Sequence, residues 1–322
     1  MNTLYLVIPC YNEEEVLPET ARRLEEKMTS LIDRGEISPK SRIVFVDDGS
    51  RDQTWALISE LHQSRPLFSG IGLSRNKGHQ NALLAGLLTV RDQADFTISL
   101  DADLQDDLDA IDEMVTKYHA GCDVVYGVRA KRDTDTRFKR FTAELYYKAI
   151  AAMGGDVVFN HADYRLLSRR ALDALSEYRE SALFLRGIVP MLGYRTDTVA
   201  YARAERFAGE TKYPLKKMLA LAIDGITGLS LRPLRLIILA GALLLMAAFV
   251  LALIFGVQHI LGASFWGWRV ATLSIFAVGG LNLFCLGIVG EYAGKAYLEA
   301  KRRPRYFVDR MLHLSGDKSD RA

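Results

Sequence analysis

Apolar residues fall into two regimes along the chain. In the first two-thirds they form short, β-rich runs at Leu4–Pro9, Ile43–Val46, Phe68–Leu73, Phe96–Leu100 and Asp123–Gly127. Helical periodicity fills the gaps near Glu14–Leu31, Gln53–Gln63, His79–Val90 and Leu108–His119. Repeated strand–helix units predict an α/β domain with a mostly parallel sheet and helices on both faces.

Toward the C-terminus the pattern changes. Leu236–Gly256 is 21 residues without a charge, and Val270–Val289 adds 20 with only Thr272, Ser274 and Asn282 polar. About 20 apolar residues span a bilayer as a helix. The linker Val257–Arg269 carries one charge, and Trp266 and Trp268 fall where an interfacial aromatic belt would sit. Arg232 and Arg235 flank one end of this hairpin; Lys295, Lys301, Arg302, Arg303 and Arg305 flank the other. The positive-inside rule then puts both ends in the cytoplasm. No basic segment leads into an apolar run at Met1–Leu4, so no signal peptide is expected. The pattern divides the chain into a cytosolic α/β domain (1–214), a juxtamembrane amphipathic region (215–233), a two-helix transmembrane hairpin (234–293, spans near 236–256 and 270–289) and a basic cytosolic tail (294–322). Gly279, Gly280, Gly287 and Gly290 permit close helix packing, which leaves a homo-oligomer open.

Composition narrows the classes. The 322 residues carry 41 Lys plus Arg against 39 Asp plus Glu, and a net charge of +2 makes no case for a nucleic-acid binder. Cys10, Cys122 and Cys285 are far apart and form no CxxC, which argues against a disulfide scaffold or zinc ribbon.

Ligands of parallel sheets bind beyond the C-terminal ends of the strands. Three such ends are unusually polar: Pro9-Cys10-Tyr11-Asn12-Glu13-Glu14-Glu15, Asp47-Asp48-Gly49-Ser50 and Asp101-Ala102-Asp103-Leu104-Gln105. Crowded carboxylates repel unless a cation or a donor-rich ligand compensates. Neither GxGxxG after the first strand nor GxxxxGK[ST] is present. Asp101 and Asp103 stand two apart and reach one ion if the chain turns there. Oxygen ligands without Cys or His suit Mg²⁺ or Mn²⁺. A lone DxD is common by chance, and Asp106, Asp107 and Asp109 offer the plainer reading of a helix cap.

The segments VIPCYNEEE, VDDGS, DADLQD and AGETKYP resemble those of the polyprenol-phosphate glycosyltransferases of family 2, enzymes of the GT-A fold. The resemblance covers the whole chain and is strongest to bactoprenol enzymes with a two-helix hairpin and an ending similar to GEYAGKAYLEAKRRPRY. It implies a GT-A nucleotide-sugar-binding fold, Rossmann-like, followed by juxtamembrane helices and the hairpin. It implies a nucleotide-sugar donor, a UDP-sugar above all, a polyprenyl phosphate acceptor, a lipid bilayer as partner and a plasma-membrane location. By resemblance Pro9, Tyr11, Asn12 and Glu14 line the nucleotide pocket, and Asp48 accepts a hydrogen bond from the base. Asp101, Asp103 and Gln105 hold the metal. Asp163 acts as a base or orients the acceptor, or simply pairs with Arg165. Members commonly read RNxGKxxA after the third strand; here His79 stands where Lys is frequent, and it reads as a helix-start residue.

Positive charge for an anionic acceptor is clustered. Arg129–Arg140 has six bases against two acids, and Arg203–Lys217 five against two. Attraction to anionic lipid is the general role of such segments. Arg129 and Arg140 are the specific candidates for the lipid phosphate, and by resemblance Arg206 and Lys212 also contact substrate phosphates. Two other readings are weighed. A processive polysaccharide synthase usually carries QxxRW and more spans, and Arg186–Arg195 has no such motif. An inactive nucleotide-sugar-binding protein has no need of the intact DAD and VDDGS clusters.

Overall fold

The computed structural model describes residues 1–129, 161–180, 185–202 and 267–312, with single positions between 237 and 261. Eight strands form one sheet: β1 (Leu4–Cys10), β2 (Arg42–Asp47), β3 (Phe68–Leu73), β4 (Phe96–Ser99), β5 (Val124–Arg129), β6 (His161–Ser168), β7 (Thr196–Tyr201) and β8 (Val308–Met311). Their spatial order is β7-β5-β6-β4-β1-β2-β3-β8. β1 to β4 are mutually parallel, β5 and β7 run the same way, and β6 and β8 are reversed. The sheet is thus mostly parallel, as the alternating pattern predicts.

Every residue of β1 is buried, and its pleat divides the core in two. Leu4, Leu6 and Ile8 pack on one face with α1 (Leu17–Asp33), α2 (Thr54–Ser64) and α4 (Ala110–His119). Tyr5 and Val7 pack on the other with α3 (His79–Val90), α5 (Arg169–Ser176) and α6 (Leu185–Met191). In α1, Leu17, Ala21, Leu24, Met28 and Leu31 recur every three or four residues, the stripe that seats a helix on a sheet. α3 packs tightly on the sheet: a Cβ on Gly86 would stand 2.5 Å from Val7 Cγ1 and 2.6 Å from Val46 Cγ2.

A last helix, α7 (Gly267–Ala300), runs for 34 residues, about 51 Å at 1.5 Å per residue. Its Ala277–Ala300 stretch is long and apolar enough to cross a membrane, the one such helix among the described residues. Ile275, Leu283, Phe284 and Leu286 are exposed on it. The helix continues through Glu291 and Lys295, past the end expected near 289. Its counterpart at 236–256, apart from single positions, and the segment 215–233 lie outside the described residues. The segment read as a tail contributes β8, which pairs antiparallel with β3 and closes that edge of the sheet.

Candidate active site

The loop after β1 is laced to the loop after β2. Asn12 sits in the left-handed region at φ 53°. Its N–H donates to Ser50 Oγ at 2.9 Å, and its Oδ1 accepts from Arg51 N at 2.9 Å. Glu13 N donates to Thr54 Oγ1, and Glu14 Oε2 accepts from Gln53 N at 2.8 Å. Asn12 and Glu14, expected at the nucleotide, therefore hold the two loops in register. Pro9 is buried within β1 opposite Val46. Tyr11, at 39 %, and Glu14 are the exposed members of the group.

Asp48 is 2 % exposed. Its two carboxylate oxygens accept the backbone N–H of Lys77 at 2.7 Å and of Gly78 at 2.8 Å, fixing the turn that starts α3. Burial raises its pKa, against those two donors. Where the resemblance implies contact with a base, the structure shows Asp48 anchoring a loop. Gly49 explains why this motif needs glycine: its φ is +69°, and a Cβ there would lie 2.7 Å from the Arg75 carbonyl carbon.

The DADLQD segment turns sharply after β4, with Leu104 at φ 57°. Thr20 Oγ1 on α1 holds the Ala102 carbonyl at 2.8 Å, and Gln105 N donates to Asp103 Oδ1 at 3.2 Å. Asp101 Oδ1 is buried without a hydrogen-bond partner. Asp106, set aside in sequence as capping material, is a third carboxylate of this cluster. It is 7 % exposed, and Tyr201 Oη donates to its Oδ1 at 2.7 Å. Burial first, then the charge of Asp101, pushes its pKa up to about 6. Arg129, at the end of β5 beside Tyr201, counters that rise. The charge of Arg129 thus acts on Asp106 of the carboxylate cluster from β5, two strands from β4. Arg140, Arg206 and Lys212 lie outside the described residues.

Asp163, on β6, lies at the heart of a second charged group. Ser99 Oγ donates to its carbonyl at 2.6 Å, which ties it to the strand that delivers Asp101. Arg165 Nη2 pairs with its Oδ1, and Arg186 approaches side-on, Nη2 to Oδ2 at 3.1 Å and Nε to Oδ1 at 3.3 Å. Burial opposes its ionisation, but Arg186, Arg165 and His79 together hold the carboxyl well below the usual carboxylate range. His79 is both the first residue of α3 and the bridge of the site. Its Nε2 stands 3.5 Å from Asp101 Oδ1 and 3.6 Å from Asp163 Oδ2. His79, Asp106 and Arg186 are the members that sequence reasoning left out. His79 alone had a signal there, its departure from the common Lys.

Among the described residues, no three His, Cys, Asp or Glu side chains are grouped to hold a metal by themselves. A separate cavity of about 350 Å³, lined by Asp47, Ser50, Trp55, Gly72 and Arg310, opens on the β2–β3–β8 side.

Comparison with known proteins matches this architecture to a family. The model described as glycosyl transferase family 2 matches residues 5–176. The uncharacterized glycosyltransferase YkoT of Bacillus subtilis is 48 % identical over 95 % of this chain and 91 % of its own length. A prophage bactoprenol glucosyl transferase homolog of Escherichia coli is 38 % identical, covering 95 % of this chain and 98 % of its own. The bactoprenol glucosyl transferase of Shigella phage SfX is 37 % identical, over 94 % and 97 %.

Proposed function

The chain belongs to glycosyl transferase family 2, and from that premise we propose that it transfers a hexose from a nucleotide-sugar to polyprenyl phosphate at a membrane surface. Full-length similarity to bactoprenol glucosyl transferases supports this acceptor. The observation that carries the reading is the bridge through His79, whose Nε2 stands near both Asp101 of the DAD turn and Asp163. The DAD turn suits a donor and its cation; the Asp163 group, with its two guanidiniums, suits an anionic substrate. The donor is a UDP-hexose, UDP-glucose or UDP-GlcNAc, and the sugar leaves with inversion.

The residues present fit a divalent cation. Asp101 Oδ1 is buried and accepts no hydrogen bond, with His79 Nε2 3.5 Å away, and like-charge repulsion from Asp101 adds to the rise at Asp106. Asp101 and Asp103 would hold Mg²⁺ or Mn²⁺, with Gln105 as a neutral oxygen, and the substrate would complete the ligand set. When bound, the cation neutralises the departing diphosphate.

The chain's own groups do the rest. Asp48 holds the Lys77–Gly78 turn and so fixes where His79 projects. Asp163 stays ionised and tightly paired, which suits orientation rather than proton removal. A phosphate monoester, with a second pKa near 6, is largely dianionic at pH 7 and needs no strong base. Positioning and charge neutralisation lower the barrier. The exposed apolar face of α7, with the uncharged block at 236–256, forms the hairpin that keeps the site at the inner leaflet, with both termini in the cytoplasm.

A donor screen tests the reading. Detergent-purified protein is offered radiolabelled nucleotide-sugars and undecaprenyl phosphate, with and without Mg²⁺ or Mn²⁺. Metal-dependent label in the lipid extract is the expected result and names the sugar. Label confined to water-soluble products would remove the lipid acceptor.

A further inference from the structure

His79 turns one ring nitrogen toward two carboxylates and hydrogen-bonds to neither. Its Nε2 stands 3.5 Å from Asp101 Oδ1 and 3.6 Å from Asp163 Oδ2. An N–H donating to a carboxylate closes to about 2.7–3.2 Å. Asp163 has no need of the imidazole, because Arg165 and Arg186 engage both of its oxygens. Asp101 Oδ1 is buried and accepts no hydrogen bond. A nitrogen and a carboxylate oxygen therefore face each other across a gap. Two ligands held by one octahedral cation at about 2.1 Å stand about 3 Å apart at right angles and about 4 Å apart in line. The observed separation falls between these limits.

The imidazole is set in place from the backbone. Asp48 accepts the N–H groups of Lys77 and Gly78, and Asn81 Nδ2 donates to the Lys77 carbonyl at 2.9 Å. The ring thus enters the site from a braced turn. The side chains of His79 and Asp101 are 35 % and 36 % exposed, so the space between them is reached from outside. Two protein ligands there leave further positions to the DAD turn and the substrate, consistent with the lack of a complete three-residue group among the described residues.

We propose that His79 is a ligand of the divalent cation, its Nε2 binding the metal directly beside Asp101. The inference rests on the cation reading above and adds a nitrogen to a site otherwise built of oxygens. Mg²⁺ is a hard ion that favours oxygen throughout, whereas imidazole suits transition metals. His79 therefore biases the site toward Mn²⁺ over Mg²⁺.

The test is spectroscopic and needs no turnover. Full-length protein in detergent is titrated with Mn²⁺ alone and with Mn²⁺ plus UDP, and bound Mn²⁺ is read by electron paramagnetic resonance. Spin-echo modulation is recorded on protein carrying ordinary or nitrogen-isotope-labelled histidine. The expected result is a nitrogen modulation that changes with the label and disappears in both His79→Ala and His79→Gln. The imidazole makes no hydrogen bond, so both variants keep the fold, which circular dichroism checks. Mn²⁺ affinity is expected to fall about tenfold or more in each, the scale that loss of even an outer partner of a metal ligand reaches. Mg²⁺ affinity, measured by competition, is expected to fall less. Bound Mn²⁺ without histidine modulation, or modulation that survives in both variants, would overturn the proposal and leave the cation to the DAD turn. Wild-type protein that binds no Mn²⁺ with or without UDP would overturn the cation reading itself.

Discussion

The hydroxyl of Tyr201 donates to the carboxylate of Asp106 across 2.7 Å, although the two residues lie 95 positions apart. This bond ties the last residue of β7, on the outermost strand, to the turn after β4. It supports the ionised form of a carboxyl whose pKa burial and Asp101 push up to about 6. A raised carboxyl pKa means the folded state favours the proton. The stabilisation from this group is complete below about pH 4 and is lost as the pH rises through about 6. Tyr201→Phe removes a donor from the ionised form alone. It is expected to cost about 1–3 kcal/mol at pH 8 and clearly less at pH 5. Thermal unfolding in chelator at both pH values measures this; equal losses would mean that Asp106's charge is not involved.

Asp163→Asn leaves Arg165 buried beside a neutral amide. Breaking a buried pair from one side costs about 3–5 kcal/mol. The carboxyl is held well below the usual range, so its stabilisation is present above about pH 4 and is lost only in stronger acid. The deficit of the variant is therefore expected to be flat between about pH 5 and 8. Denaturant titrations across that range check it, and a deficit that shrinks toward pH 5 would show a carboxyl with a higher pKa.

Asp48→Ala frees the N–H groups of Lys77 and Gly78 and releases the turn that aims His79. The expected loss is about 1–3 kcal/mol of stability per orphaned buried donor. Turnover should fall further than the unfolded fraction explains. Activity per folded molecule, measured beside circular dichroism, separates the two effects. Unaltered turnover would detach this turn from the chemistry.

Gly86→Ala pushes a methyl group into Val7 and Val46, at 2.5 and 2.6 Å. Overpacking of this kind costs about 1–3 kcal/mol. The cost should appear as a lower denaturant midpoint with an unchanged slope, and kinetic constants should hold for the molecules that remain folded. A neutral substitution would show that α3 can ride away from the sheet.

Five strands and four helices were legible in sequence, for a physical reason. β1 to β5 lie inside the sheet and read as apolar runs, α1 carries a clear stripe, and α3 is apolar over most of its surface. β7 and β8 carry no such signal: TDTVAY is mostly exposed, and VDRM is exposed throughout. β6, HADYRLLS, hides its strand character behind the charged residues it delivers to the site. Asp101 and Asp103 stand out in sequence because they follow an apolar strand run, the place where ligands of parallel sheets bind. Asp106 was not, because its partner Tyr201 comes from a strand the pattern does not announce. Arg186 was invisible for a similar reason: only the fold brings α6 against β6. Asp48 stands out in sequence within VDDGS, but its partners are backbone groups, which leave no trace in a sequence.

β8 has a consequence for how the protein is made. Its partner β3 is complete by residue 73, but β8 leaves the ribosome only after α7 has been synthesised. Until then the nascent sheet shows an open edge next to the loops of the site, a template for pairing with other chains. The C-terminal strand is thus a clasp that closes last. A shortened version ending before α7, the natural choice for a soluble fragment, would carry that open edge permanently.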